Sequence, residues 1–246
     1  MKQHHIRRLG FGILGVAIAL GVAISVVLAR PQPLFAYSVH SGRLPLYSDA
    51  PFEPDDGIRV LADIERRISS APAEIADAHS SYRVFIVNAE WRRRLTFLNN
   101  YGAGGVNYYP LGQNVFLRQG DMDRLFQSNG QRVPGPRTLA YFGAHEIAHT
   151  LIGQRTGAIG NWKLPVWIRE GLADYVAFEG QVDIDALTAQ LRAAHPDLDP
   201  AASGLYSKYR LLVAYLLERE GLSVQNLFSF GDSEEEVLRR LLAHAQ

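Results

Sequence analysis

The segment that most restricts the fold is His145-Glu146-Ile147-Ala148-His149, set in the apolar, helix-forming stretch Arg137–Gly157. Two histidines four residues apart face the same way only on a helix, one above the other. The spacing predicts a helix over 138–154 that presents both imidazoles to one ion. Glu146 is turned off the direct ligand line but still reaches a water held there. Neutral imidazoles, an open coordination position and a carboxylate to take a proton are what zinc-dependent hydrolysis needs. The bland alternative is a pair of core histidines beside a surface glutamate, and a second motif downstream weighs against it.

Catalytic zinc uses three protein ligands and a water. The chain has no cysteine, so the third ligand must be a carboxylate or another histidine. Position 155 is Arg155, which excludes the pattern HExxHxxGxxH. The next candidate is Glu170, in Pro165-Val166-Trp167-Ile168-Arg169-Glu170-Gly171-Leu172-Ala173-Asp174-Tyr175. A helix is predicted over 165–179, with Pro165 tolerated near its start. Asp174 falls one turn after Glu170 on the same face. A carboxylate there can accept the second N–H of a ligating imidazole and fix its tautomer.

HExxH followed by WxxEGxA resembles the gluzincin metallopeptidases over about residues 137–220, and more distantly the peptidase-MA-like domains. The resemblance implies a zincin-like fold and a Zn²⁺ ion held by His145, His149 and Glu170. It also implies Glu146 as general base, Asp174 behind a ligand, and hydrolysis of peptide bonds in a peptide or protein substrate. The 20 residues between His149 and Glu170 slightly exceed the family's usual gap, and the connection Gly153–Leu164 is where the excess would be absorbed. In the aminopeptidase branch a Tyr-x-Lys-Gly sequence supplies a hydroxyl to the oxyanion. Tyr206-Ser207-Lys208-Tyr209 matches it at Tyr206 and departs from it at Tyr209. Tyr206, Tyr209, Val213 and Leu216 also read as an apolar helical stripe. Tyr175 and Tyr209 are further oxyanion candidates. The aminopeptidase GAMEN motif is absent, because Gly102–Asn107 lacks its glutamate. Those glycines lie where a sheet edge able to hold an added peptide strand is expected, and they read equally as a turn or bulge.

The remainder of the chain sets the architecture. Lys+Arg and Asp+Glu each number 25, so no basic surface for a nucleic acid is expected. Gly10–Ala29 is an uncharged run of 20 residues behind Lys2, Arg7 and Arg8. It predicts a membrane-spanning helix with a cytoplasmic N-terminus, so residues 1–30 become an anchor and the membrane a partner. The rest would then be extracytoplasmic, periplasmic or at the cell surface. Cleavage after Val27-Leu28-Ala29 would instead give a secreted protein. Residues 31–57, rich in proline, read as a tether, and 58–246 as the metallopeptidase domain.

Within that domain an amphipathic helix is predicted over 58–70, a buried strand over 82–88 and a helix over 90–99. Short strands at 106–109 and 114–118 flank a turn at 110–112, and 127–136 reads as a loop. Helices follow at 182–194, 204–220 and 233–244. The expectation is an α+β fold, with a small mixed sheet in the first half, the metal helix, then a mainly helical second half. Rival functions are a peptidase-like binding or assembly factor without turnover, and a zinc hydrolase of a non-peptide amide. Intact HExxH and Glu170 weigh against the first, and the motif describes water activation rather than the acyl group attacked.

Overall fold

The computed structural model describes residues 2–76, 81–118, 120–121, 124–125 and 137–244, with side chains described in 15–76, 81–118 and 137–244. The expected loop at 127–136 lies outside the described residues, as does His79. The first half comprises α1 (Lys2–Ala29), the hairpin β1 (Tyr37–Ser41) and β2 (Leu44–Ser48), α2 (Pro54–Ser69), β3 (Arg83–Val87), α3 (Glu90–Phe97), β4 (Gly105–Asn107), β5 (Asn114–Arg118) and the short pair β6 (Gly120–Asp121) and β7 (Arg124–Leu125). The second half is helical: α4 (Leu139–Lys163), α5 (Val166–Ala177), α6 (Ile184–Arg192), α7 (Pro200–Ser203), α8 (Ser207–Ala214), a π-turn (Tyr215–Arg219), α9 (Val224–Leu227) and α10 (Glu234–His244). The fold is α+β, with a small mixed sheet confined to the first half, as the sequence predicts.

The five-stranded sheet has the order β1-β2-β3-β5-β4. The pairs β2–β3 and β3–β5 are parallel, whereas β1–β2 and β4–β5 are antiparallel. Alternation along each strand separates two cores. Val84, Ile86, Val115 and Leu117 point to the side of α2 and α4, where Ile64, Ile147 and Leu151 cover them. Phe85, Val87 and Phe116 point to the other side and meet Leu28, Phe35 and Phe97. The stretch 31–57 holds the β1–β2 hairpin as well as irregular backbone, because Leu44 and Leu46 alternate inward despite Pro45 between them.

The N-terminal helix requires a correction. Of the expected span Gly10–Ala29, the side chains of 15–29 are described. No helix of the described residues is long and apolar enough to cross a membrane. This overturns the single-pass anchor with a cytoplasmic N-terminus, the membrane as a partner through that helix, and the extracytoplasmic placement that the anchor implied. The end of α1 is instead part of the fold: Leu28 is buried in the second core. Asn114 Nδ2 donates to Leu28 O at 2.7 Å and to Ala29 O at 3.1 Å, satisfying carbonyls that a helix end leaves open.

The helical half is fixed by close approach of α5 and α8. A Cβ on Gly171 would lie 2.5 Å from Tyr209 O and 2.8 Å from Val213 Cγ2. Backbone cannot swing aside as a side-chain tip can. Gly171→Ala is expected to destabilise the protein by about 1–3 kcal/mol, seen as a lower denaturation midpoint in urea. An unchanged midpoint would show that the helices separate freely.

Candidate metal centre

Helix α4 starts where Thr138 accepts a hydrogen bond from Tyr141 N at 3.2 Å, an N-cap of the usual kind. From Leu139 to Gly153 the helix is buried nearly all round, so its polar side chains must find partners on other elements. Beyond it, Gly157 has φ 72° and ψ 167° and breaks the helix. This break lies in the connection expected to absorb the long gap before Glu170. The chain then returns through α5, which lays Glu170 beside the two histidines.

Three donor atoms converge there. His145 Nε2 and His149 Nε2 are 3.1 Å apart. Glu170 Oε2 lies 3.4 Å from the former and 3.2 Å from the latter. His145, His149 and Glu170 therefore form a cluster that can hold a metal ion. His149 is half-buried and the other two are buried. Arg169 Nε stands 3.4 Å from the second carboxylate oxygen, Oε1.

The surrounding groups tune this cluster. Burial alone would lower the His145 imidazole, but its hydrogen bond to Glu170 and the charges of Glu146, Glu170 and Asp174 outweigh that and raise it. Burial alone would raise the Glu170 carboxyl, but His149 and His145 hold it far below the usual carboxylate range. His145 Nδ1 is buried without a hydrogen-bond partner. Its nearest carboxylate oxygen is Asp174 Oδ1 at 3.8 Å, so the structure brings the expected pair together without closing the bond. Asp174 is fully buried and is engaged elsewhere: Tyr141 OH donates to Oδ1, and Arg210 Nη1 donates to Oδ2 at 3.0 Å.

Glu146 is held from the sheet. Asn107 Nδ2 donates to its Oε2 at 2.8 Å. Tyr206, the residue before α8, stacks on His145 with ring centroids 5.8 Å apart and planes 8° from parallel. Burial, then the charges of Glu170, Glu146 and Asp174, push its phenol well above the ordinary value, so it keeps its proton and can donate it in a hydrogen bond. Tyr209 stacks behind Tyr206 at 6.0 Å. The stripe expected from Tyr206 to Leu216 is thus divided, with Val213 and Leu216 in the core and Tyr206 on the cleft. That cleft encloses about 670 Å³ and is lined by Gly104, Gly105, Asn107, Tyr109, Arg169 and Tyr206 together with the cluster.

Sequence reasoning missed Asn107 as the partner of Glu146, and Tyr141 and Arg210 as partners of Asp174. Arg210 carried a usable signal: it precedes the apolar run Leu211-Leu212-Val213-Ala214, where a cation implies a buried counter-charge. Neither a comparison with known protein families nor a search of curated proteins finds a match to this chain.

The two shifts set opposite pH limits for the metal-free protein. The raised His145 contributes stability fully present below the ordinary imidazole value of 6.5, lost as pH rises through its folded value. The lowered Glu170 contributes stability present above the ordinary value of 4.5, lost as pH falls through its folded value. A metal ion needs neutral imidazoles, so its affinity runs the other way and grows with pH. With chelator present, Tm is expected to be lower at a pH well above 6.5 than at 6.5. A divalent transition-metal ion should raise Tm more at the higher pH. No rise at either pH would mean that the cluster does not take the ion.

Proposed function

We propose that this protein is a zinc-dependent peptidase of gluzincin type, with His145, His149 and Glu170 as ligands. The observation that carries this reading is the donor triangle, with edges of 3.1, 3.2 and 3.4 Å. A tetrahedron with bonds of about 2.0–2.1 Å has edges of about 3.3 Å, so zinc fits the three donors with a fourth position left open. Two imidazoles and one carboxylate are also a donor set of catalytic zinc rather than structural zinc. The motif pair HExxH and WxxEGxA supports the same assignment.

When bound, the zinc ion would polarise the scissile carbonyl and lower the pKa of the attacking water. Glu146 takes the proton of that water and passes it to the leaving nitrogen. Asn107 fixes one oxygen of Glu146 and leaves the other for this transfer. Tyr206 keeps its proton in the resting site and donates a hydrogen bond to the developing oxyanion. Asp174 neutralises part of the positive charge behind His145, while Arg210 and Tyr141 hold it in place. Among the described residues β4 is an edge strand and lines the cleft, so a peptide can lie against it as an added strand.

The first test is metal content of the full chain beside His149→Ala and Glu170→Ala. Zinc near one per chain is expected, with loss in both variants. Loss in His149→Ala alone would place the third ligand elsewhere and remove the gluzincin reading. Absence of zinc from all three folded proteins would favour a binding factor without turnover.

Glu146→Gln should keep zinc and reduce peptide hydrolysis by about 10²–10⁴-fold; retained turnover would sink the general-base role. Tyr206→Phe should lower kcat by about 10²–10³-fold with little change in KM. An equal loss through KM alone would make Tyr206 a binding residue.

A further inference from the structure

Three arginines line the cleft beside the metal cluster: Arg118, Arg137 and Arg169. Two of them have evident neighbours. Arg169 sits against the Glu170 carboxylate at 3.4 Å, and Arg137 lies over the Tyr141 ring at 5.3 Å. Arg118 differs. It is 6% exposed, and its guanidinium contact is Nη1 to Gly102 O at 3.5 Å, the limit of a hydrogen bond. No carboxylate of the described residues pairs with it. Its electrostatic neighbours are Arg93, another cation, and the Tyr101 phenol.

The partners of Arg93 are Glu90 and Tyr101, so the acid paired with that neighbouring cation is already engaged. Burial, then Arg93, depress the Arg118 guanidinium below its ordinary value. A buried guanidinium without a counter-charge is unfavourable, and this one faces a cavity rather than packed core. Its position is fixed by backbone: Arg118 N donates to Gly104 O at 2.9 Å, and the neighbouring pair is Gly105 opposite Leu117. Gly105 lies directly against Glu146 Cγ. Arg118 is thus rooted one strand position from Leu117, at the β4 edge, and its side chain lines the same cleft as Glu146.

We infer that Arg118 is the anion-recognition residue of this cleft, and that the preferred substrate is a peptide presenting a carboxylate at its β4 end. A guanidinium pairs with a carboxylate through two parallel hydrogen bonds, which supply both charge and direction. The carboxylate belongs to the substrate's C-terminus or to an aspartate or glutamate side chain near the cleaved bond. The inference rests on the peptidase reading of the same cleft, and it adds a substrate class to it.

The test uses the zinc-loaded full chain carrying Glu146→Gln, with and without Arg118→Gln, and calorimetric binding of three probes. These are N-acetyl-Ala-Ala-Phe-Ala as the free acid, the same peptide as its amide, and N-acetyl-Ala-Ala-Phe-Glu amide. At least one acidic probe should bind about tenfold or more tightly than the neutral amide, and the ratio should fall to near one with Arg118→Gln. Preference for the free acid alone identifies a C-terminal carboxylate, and preference for the glutamyl amide alone identifies a side chain. Equal binding of all three probes overturns the subsite and leaves the peptidase reading standing. Binding of none, with no cleavage of the neutral amide by the unsubstituted chain, overturns both. A thermal melt guards against misfolding: removing an uncompensated buried charge should leave Tm unchanged or higher. A large fall in Tm would make Arg118 a structural residue and overturn the assignment.

Discussion

Burial of α4 on nearly all sides from Leu139 to Gly153 is the constraint on which the rest of this structure depends. A helix enclosed between a sheet and a helical layer meets water only at the cleft, so its other polar side chains depend on protein partners. Several polar groups that α4 carries therefore meet other elements, while His145 Nδ1 and Thr150 Oγ1 find no partner. Glu146 meets Asn107 of β4, and the two histidines meet Glu170 of α5. The site follows from these demands. One element supplies the pair of imidazoles, and the two flanking layers supply the Glu170 carboxylate and the Asn107 amide that meet them.

A second layer of electrostatics ties the helical half to this helix. Asp174 is fully buried, so its charge has to be met inside the protein. Tyr141 of α4 and Arg210 of α8 meet it, and the Arg210 guanidinium lies 3.6 Å over the Phe178 ring. One carboxylate on α5 thus links α4 to α8. The close packing at Gly171 brings α8 near enough for that link. Together these contacts place Tyr206, at the start of α8, flat against His145.

The elements were largely legible because their periodicities are strong. The alternation Val84, Phe85, Ile86, Val87 is a strand buried on both faces, and the structure divides it between two cores. HExxH was legible because i and i+4 share a helix face whatever the tertiary context. Asn107, Tyr141 and Arg210 were not legible as partners, since each acts on a residue of a different element, and sequence spacing carries no information about such pairs. Asp174 was legible by position but not by bonding: it stands 3.8 Å from His145 Nδ1 because stronger donors hold it. Hydropathy misled at Gly10–Ala29, where Val16, Ile18, Leu20, Val22 and Val26 are exposed and only the end of the run is built into the fold. The sheet, through Phe85 and Phe116, covers Leu28. Prolines likewise concealed the β1–β2 hairpin, whose inward leucines were the better guide.

By itself, the sequence determined the local geometry of this protein. It set the pair of imidazoles on one helix face, the carboxylates Glu170 and Asp174 one turn apart on the next helix, and the alternation that makes β3 and β5 central strands. These follow from backbone periodicity, which depends only on near neighbours. Tertiary structure alone decided that Glu170 Oε2 falls within 3.4 Å of both imidazole nitrogens, that Arg210 neutralises Asp174, and that Arg118 is buried at the cleft beside a strand edge. Those outcomes depend on how a sheet, α4 and α8 pack at fixed distances. Packing is a property of the whole buried volume, and no short stretch of the chain encodes it.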